Sequence, residues 1–223
     1  MNGPFAWFKW EALFSDWRIF AEGFQNTLLV SFLGLLIALV LGIVFGTLGS
    51  AQIKPLRIAN RIYVELIQNT PLVIQIFFLY NGLPHIGIMI PVLSVGIFGV
   101  GIYHGAYISE VVRAGIQAIH RGQIEAAYSQ GFTYWGAMRY IVLPQATRIV
   151  LPPLTNQAVS LIKNTSVLAM IAGGDLMYHA DSWSSQNIYY GPAYVVVGLL
   201  YLLLCLPLAQ LTRYMERKVE VPL

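Results

Sequence analysis

The sequence predicts an all-α membrane protein: five transmembrane helices preceded by an amphipathic helix at the membrane interface. Three observations carry this. The 223 residues are 57% hydrophobic and only 10% charged, where soluble domains average about 45–50% and about a quarter. Five apolar stretches reach the roughly twenty residues that a helix needs to cross a bilayer. Lysine and arginine collect in alternate segments between those stretches. The length suits one domain or two small ones. The net charge of +3 matters less than its placement, and the single cysteine, Cys205, excludes a disulfide framework and any CxxC metal cluster. Cys205 sits in an apolar run and is expected to be an inert thiol.

Residues 1–22 are expected to form the interfacial segment. Trp7, Trp10, Phe14, Trp17 and Phe24 recur at helical spacing and make one aromatic stripe. Indole rings favour the headgroup level, which places the helix flat on the outer leaflet; a disordered tail is the competing reading. Lys9, Glu11, Asp16, Arg18 and Glu22 stand where a cleavable signal would have its apolar core, so none is expected. The membrane domain covers 23–212, with spans at about 27–48, 62–83, 91–112, 149–171 and 192–212. Spans two and three contain polar breaks. Asn81-Gly82-Leu83-Pro84 and Gly173-Gly174-Asp175 supply turn formers for the loops between spans. A tail, 213–223, follows.

Orientation follows from the basic residues. Lys54, Arg57 and Arg61 follow span one; Arg113, Arg121, Arg139 and Arg148 follow span three; Arg213, Arg217 and Lys218 follow span five. Loops 84–90 and 172–191 contain none. The N-terminus is therefore expected outside and the C-terminus in the cytoplasm.

This places residues 113–148 in the cytoplasm, where they read as two short helices with a hinge. Gln123 to Gln130 are mostly helix formers, and Gly131 stands where a left-handed residue stops a helix. Thr133 can cap the next helix, whose face is lined by Tyr134, Met138 and Ile141. Pro144 is expected to end it. Small Ala126 and Ala127 invite another protein to pack there.

The spacing Glu125-Ala126-Ala127, three residues, Gly131, nine residues, Ile141-Val142-Leu143-Pro144 resembles the EAA loop of bacterial ABC importer permeases. Residues 65–72, 107–115 and 161–167 resemble the polar amino acid branch of that family (the histidine, glutamine, glutamate and arginine type), and the likeness covers about 22–215. The resemblance implies a type I ABC importer permease fold in the bacterial inner membrane. It implies coupling through Gly122, Glu125, Ala126, Ala127, Gly131, Ile141, Leu143 and Pro144 to two separate ATP-binding subunits, which use ATP and Mg; no cofactor is expected in this chain. It further implies a second permease chain, identical or homologous, an external solute-binding protein and an amino acid substrate. No nucleic-acid partner is expected. Where that branch often carries arginine, this chain has Gln68, which leaves the solute's charge open.

The alternatives are a permease for another small polar solute and a secondary transporter. The second predicts paired broken helices in matching halves, and five spans do not divide so. There is no GxxxxGK[ST] phosphate cradle, so the chain is not itself the ATPase. Asp175, His179, Asp181 and Ser182 lack metal-ligand spacing and are expected to face a solute-binding protein from an external loop.

Depth counted at 1.5 Å per helical residue puts Lys163 about 22 Å in from Arg148, and Gln75 about 21 Å in from Arg61. A lysine there costs about 2.5–3.5 kcal/mol to insert, so it should face a polar interior. Asn164, Thr165 and Ser166 extend that cluster, while His104, Tyr107 and Glu110 lie nearer the cytoplasm. Lys163 is read either as the ligand of an amino acid carboxylate or as a helix-packing residue. For Glu65 and Glu110, pairing with Arg61 and Arg113 is the favoured reading. Pro71 removes one backbone hydrogen bond from span two.

Overall fold

The computed structural model describes residues 3–219, and every regular element among them is helical. The first two residues of the expected interfacial segment and the last four of the tail lie outside the described residues. In order the helices are α1 (Trp7–Ser15), α2 (Trp17–Ser50), α3 (Lys54–Gln68), α4 (Leu72–Phe77), α5 (Val92–Gln117), α6 (Arg121–Ser129), α7 (Tyr134–Ala137), α8 (Leu143–Asn164), α9 (Leu176–Asn187) and α10 (Tyr190–Val219). π-Helical turns occupy Phe78–Gly82 and Met138–Val142, and 3₁₀ turns occupy Leu83–Ile86 and Thr165–Ile171. Helices α2, α5 and α10 are each long and apolar enough to cross a membrane, and the pair α3 and α4 with its following turns adds a fourth crossing if counted as one bent span.

Four expectations are corrected. The helix that carries span one starts at Trp17, not near residue 27, and only Asp16 separates it from α1. The aromatic stripe is thus split: Trp7, Phe14 and Trp17 are exposed, while Phe24 packs on a buried cluster. Span two is not continuous, since α3 and the segment from Leu72 meet at 96°. Pro71 pushes Thr70 towards extended backbone, and Pro71 itself has ψ 138 at the N-cap of α4. The depth count for Gln75 assumed an unbroken helix and fails with it. Residues 172–191 are not an open loop, because they contain α9. Finally, Pro144 does not end a helix: it sits in the first turn of α8, where its missing N–H is tolerated.

The chain divides into two compact units. The first comprises Met1–Leu36, Thr70–Gly101 and Val159–Pro207. Its core joins Leu13, Phe20, Leu176, Ala180, Trp183 and Val197. Trp183 Nε1 donates to Asp16 Oδ2 at 2.8 Å, tying α9 to the break between α1 and α2. Asp175 is fully buried and caps α9, accepting from the amides of Met177 at 2.9 Å and Tyr178 at 3.3 Å. Asn26 Nδ2 donates to Gly174 O at 2.8 Å, and Leu176 N donates to Thr27 Oγ1 at 3.0 Å. Asp175 therefore holds α9 in place, contrary to its expected role on an external surface. Asp181 and His179 remain nearer solvent, with Tyr194 OH donating to Asp181 Oδ1 at 2.8 Å.

The second unit comprises Ile37–Asn69, Ile102–Ala158 and Leu208–Leu223. Here α2 turns Ala38, Gly42, Gly46 and Gly49, at steps of four, four and three, towards its neighbours. A Cβ at Gly46 would stand 2.6 Å from Ser109 O of α5 and 2.7 Å from Val112 Cβ. The backbones approach closely because nothing larger than a hydrogen intervenes. The other face of α2 leaves Val40, Ile43 and Val44 exposed, as suits a lipid-facing surface.

Candidate coupling loop and solute-pathway residues

In the second unit, α6 begins at an N-cap made by His120, whose Nδ1 accepts from Gly122 N at 3.1 Å. It ends in a Schellman motif: Phe132 N donates to Ala127 O at 3.0 Å and Gly131 N to Tyr128 O at 2.9 Å. Gly131 takes the left-handed conformation this requires, with φ +84, and open space surrounds its α-carbon. Thr133 Oγ1 then accepts from Gly136 N at 3.3 Å and starts α7. Where Pro144 provides no N–H, the chain passes through the π turn Met138–Val142 and continues as α8.

Ala127 is 2% exposed, whereas Glu125 and Ala126 point to solvent. Tyr134, Met138 and Ile141 are half-buried, but the fully buried positions are Ala137, Val142 and Ala146. Val142 and Ala146 pack with Ile119, Ile116, Ile124 and Met138. A cavity of about 480 Å³ opens beside them, lined by Arg121, Tyr128 and Tyr134 among others. On the outside of the same loop Trp135 is 78% exposed and Tyr140 67%, with Phe132, Tyr128 and Leu143 also exposed. Exposed apolar groups gathered on one polar segment mark an interaction surface, for protein or for membrane. The aromatic run Phe132-Thr133-Tyr134-Trp135 was its sequence signal, hidden beside the more regular Glu125 to Gly131 spacing.

Three expected pathway residues lie on α5 in this unit. His104 is 2% exposed, and its Nδ1 lies 3.0 Å from Gln157 Oε1 on α8. Tyr107 OH is 3.1 Å from Tyr103 OH. Glu110 is gripped by Arg113, with Nε 3.0 Å from Oε1 and Nη2 2.5 Å from Oε2. Arg61 and Glu65 pair at 2.7 Å on α3. Gln157, Tyr103, and the buried pair Asn60 Oδ1 and Ser109 Oγ (2.5 Å) are polar groups that the sequence reading did not single out. Gln157 carried a signal, since an amide in a stretch expected to span the membrane asks for a partner.

The other five lie in the first unit. Gln75 Nε2 donates to Thr70 Oγ1 at 2.8 Å and Thr70 O at 3.1 Å, which stitches the residues around Pro71. Helix α4 packs against the turn Thr165–Ile171. Within that turn Thr165 is fully buried and donates to Ile162 O at 2.8 Å, and Ser166 donates to Lys163 O at 2.7 Å. Lys163 is exposed, on the surface of α8.

Residues 34–221 match the family described as binding-protein-dependent transport system inner membrane component. The probable glutamine ABC transporter permease protein GlnM of Bacillus subtilis (strain 168) is 43% identical over 93% of this chain and 96% of its own length. The glutamine transport system permease protein GlnP of Escherichia coli (strain K12) is 32% identical over 96% of this chain and 99% of its own. Among solved structures, the crystal structure of an amino acid ABC transporter with histidines superposes with a TM-score of 0.86 at 33% identity, covering 93% of this chain and 97% of that one. An inward-facing structure of the MetNI methionine ABC transporter shares the fold at 19% identity and a TM-score of 0.72.

Proposed function

Because this chain belongs to the family of binding-protein-dependent transport system inner membrane components, and is a transport subunit of an ABC importer with the type I permease fold, we propose that it carries an amino acid and couples to its ATPase through residues 113–148. The observation that carries the solute class is the 43% identity to a probable glutamine permease along nearly the whole of both chains. Hydrolysis of ATP with Mg belongs to a separate chain in such systems. Two such ATPase subunits, a second permease chain and an external solute-binding protein complete the assembly in this reading.

The loop chemistry supports the coupling role. The capped pair α6 and α7 presents Glu125, Ala126 and the exposed Trp135 outward, while Ala127 and Val142 anchor it to the rest of its unit. The π turn leads directly into α8 with no irregular linker between them, so a push on the loop is passed to that helix once the turn itself has been taken up. A tryptophan at Gly131 meets no steric obstacle but must adopt a left-handed conformation that costs about 1–2 kcal/mol. Gly131→Trp should therefore leave the membrane fold intact while uncoupling ATP hydrolysis from uptake in proteoliposomes. Normal uptake by that variant would overturn the coupling assignment.

For the solute, Lys163 supplies a fixed positive charge on α8 beside Asn164 and Ser166, with Gln75 in the same unit; His104, Tyr107 and Glu110 form the second group of candidate contacts. An α-amino acid always carries a carboxylate, so one cation serves any side chain. Lys163→Met keeps the length and removes the charge. Uptake should fall at least about tenfold, equivalent to about 1.4 kcal/mol, with the ATPase still bound. Unchanged affinity and rate would move the solute site elsewhere.

The chain is a multi-pass inner-membrane protein, and the proposed orientation has five crossings, α1 at the outer interface and the C-terminus in the cytoplasm. The carrier of this reading is the absence of lysine and arginine from 84–90 and 172–191. Exposed Ser185 and Ser129 offer reporters for it, whereas Ser184 is buried. In a Cys205→Ala background, Ser185→Cys should react with an impermeant thiol reagent in intact cells and Ser129→Cys only after permeabilisation. The reverse labelling would invert the topology.

A further inference from the structure

The second unit has a groove of about 560 Å³ between the start of α8 and the end of α10. Its floor is apolar, made by Ile149, Leu151, Pro152 and Met215, and its mouth carries Arg148 and Lys218. Met215 is fixed across the groove by Thr155 of α8, whose hydroxyl donates to Met215 Sδ at 3.7 Å. Among the described residues no acidic side chain lines the groove, and the ion pairs are Arg61 with Glu65 and Glu110 with Arg113. The Lys218 ammonium is instead held 4.6 Å from the centre of the Tyr214 ring. Gln145 sits beside Arg148, its Nε2 committed to Gln123 Oε1 at 2.6 Å and Ile141 O at 2.9 Å.

We propose that this groove binds an anionic glycerophospholipid, with its phosphate between Arg148 and Lys218 and one acyl chain along Ile149, Leu151 and Met215. The two cations demand an anion; the apolar floor behind them demands hydrocarbon on the same molecule. A soluble phosphate would leave that floor wet. Leu211 stands one turn before Met215 on the same face of α10 and is 47% exposed, so the apolar lining is followed by an exposed aliphatic side chain. That continuity suits a ligand arriving sideways from the bilayer. Basic pockets between spanning helices near the membrane surface favour anionic headgroups over zwitterionic ones for the same electrostatic reason. The leaflet follows from the orientation proposed above, but headgroup selectivity measured in detergent does not depend on it, so the two ideas fail separately.

The test is lipid retention by the purified transporter complex, read by native mass spectrometry after exchange against dioleoylphosphatidylglycerol or dioleoylphosphatidylcholine. The intact complex should retain the anionic lipid at least about fivefold better. Arg148→Gln with Lys218→Gln should abolish that preference, while Arg57→Gln, a basic residue outside the groove, should preserve it. Met215→Trp fills the floor with both cations in place, and should also reduce retention. The proposal is overturned by equal retention of the two lipids, by unchanged selectivity in the double variant, or by competition from inorganic phosphate alone, which would indicate a free-anion site. Cross-linking of Ile149→Cys to a partner subunit would overturn it too, by showing that protein covers the groove.

Discussion

Gly42→Leu should remove the folded protein from the membrane. A Cβ at Gly42 would lie 2.5 Å from Ile108 Cβ and 3.2 Å from the Ile108 carbonyl carbon. Ile108 is fully buried, and backbone atoms of α5 cannot swing aside as a flexible side chain would. One turn on, Gly46 meets Ser109 O and Val112 in the same manner, so the seam cannot tilt open at one end without loss at the other. Overpacking a tight core costs about 1–3 kcal/mol, and a leucine driven into a backbone contact should reach the top of that range or pass it. The measurement is the melting temperature of the detergent-solubilised chain by fluorescence-detected gel filtration, with Val40→Leu on the exposed face of α2 as control. A Gly42→Leu protein that melts with the wild type would show that α2 and α5 do not meet there.

Asp175→Asn should flatten the pH dependence of stability between about pH 4 and 6. Burial pushes the Asp175 carboxyl up to about 6, against the opposing pull of the Met177 and Tyr178 amides. An unfolded aspartate titrates near 3.9. Between these values the folded chain holds a proton that the unfolded chain has released. The stabilisation from that proton is therefore complete below about pH 4 and is lost as pH rises through about 6. A rise of that size is worth roughly 3 kcal/mol. Asparagine keeps an oxygen for the cap and never ionises, so its melting curve should separate upward from the wild type as pH rises from about 4 to about 6 and keep a constant separation above that. Asp175→Ala, by contrast, loses the cap and should be less stable than the asparagine variant throughout. Parallel wild-type and Asn curves would mean that the carboxylate is solvated.

How far the sequence could be read depended on the range of the signal. Gly131 and Thr133 are local devices, and each acts where its chemistry requires. Pro71 likewise marks a real interruption, although its consequence, a 96° bend, depends on what α4 packs against. Helix α9 was legible and passed over: Asp175 is a good N-cap, and Leu176, Ala180 and Trp183 fall at i, i+4, i+7 behind it. Two turn formers, Gly173 and Gly174, outweighed that pattern. The partners of His104 and Thr27 were not legible, because Gln157 and Leu176 reach them from 53 and 149 residues away. Nor was the division into two units, since four of its five limits fall within α2, α5, α8 and α10, and only the one between Asn69 and Thr70 coincides with a break beside a proline. In residues 113–148 the spacing marked the helix stop at Gly131, but not that Ala127 and Val142 would be the positions facing inward.

The π turn Met138–Val142 has a mechanical meaning of its own. A π turn stores one residue more than an α-helix of the same height needs. Such a surplus is slack that can travel: if the hydrogen-bond pattern slips by one position, the wide turn moves along the helix and the residues it passes rotate by about 100°. Here the slack lies between Thr133, which pins one end, and Pro144, which cannot supply the amide that would tighten the other. Under the coupling role proposed above, a load arriving at α6 and α7 would be taken up first as rotation of Arg139, Tyr140 and Ile141 about the helix axis, before α8 moves. The loop is in that sense geared, with a small lost motion at the start of its stroke.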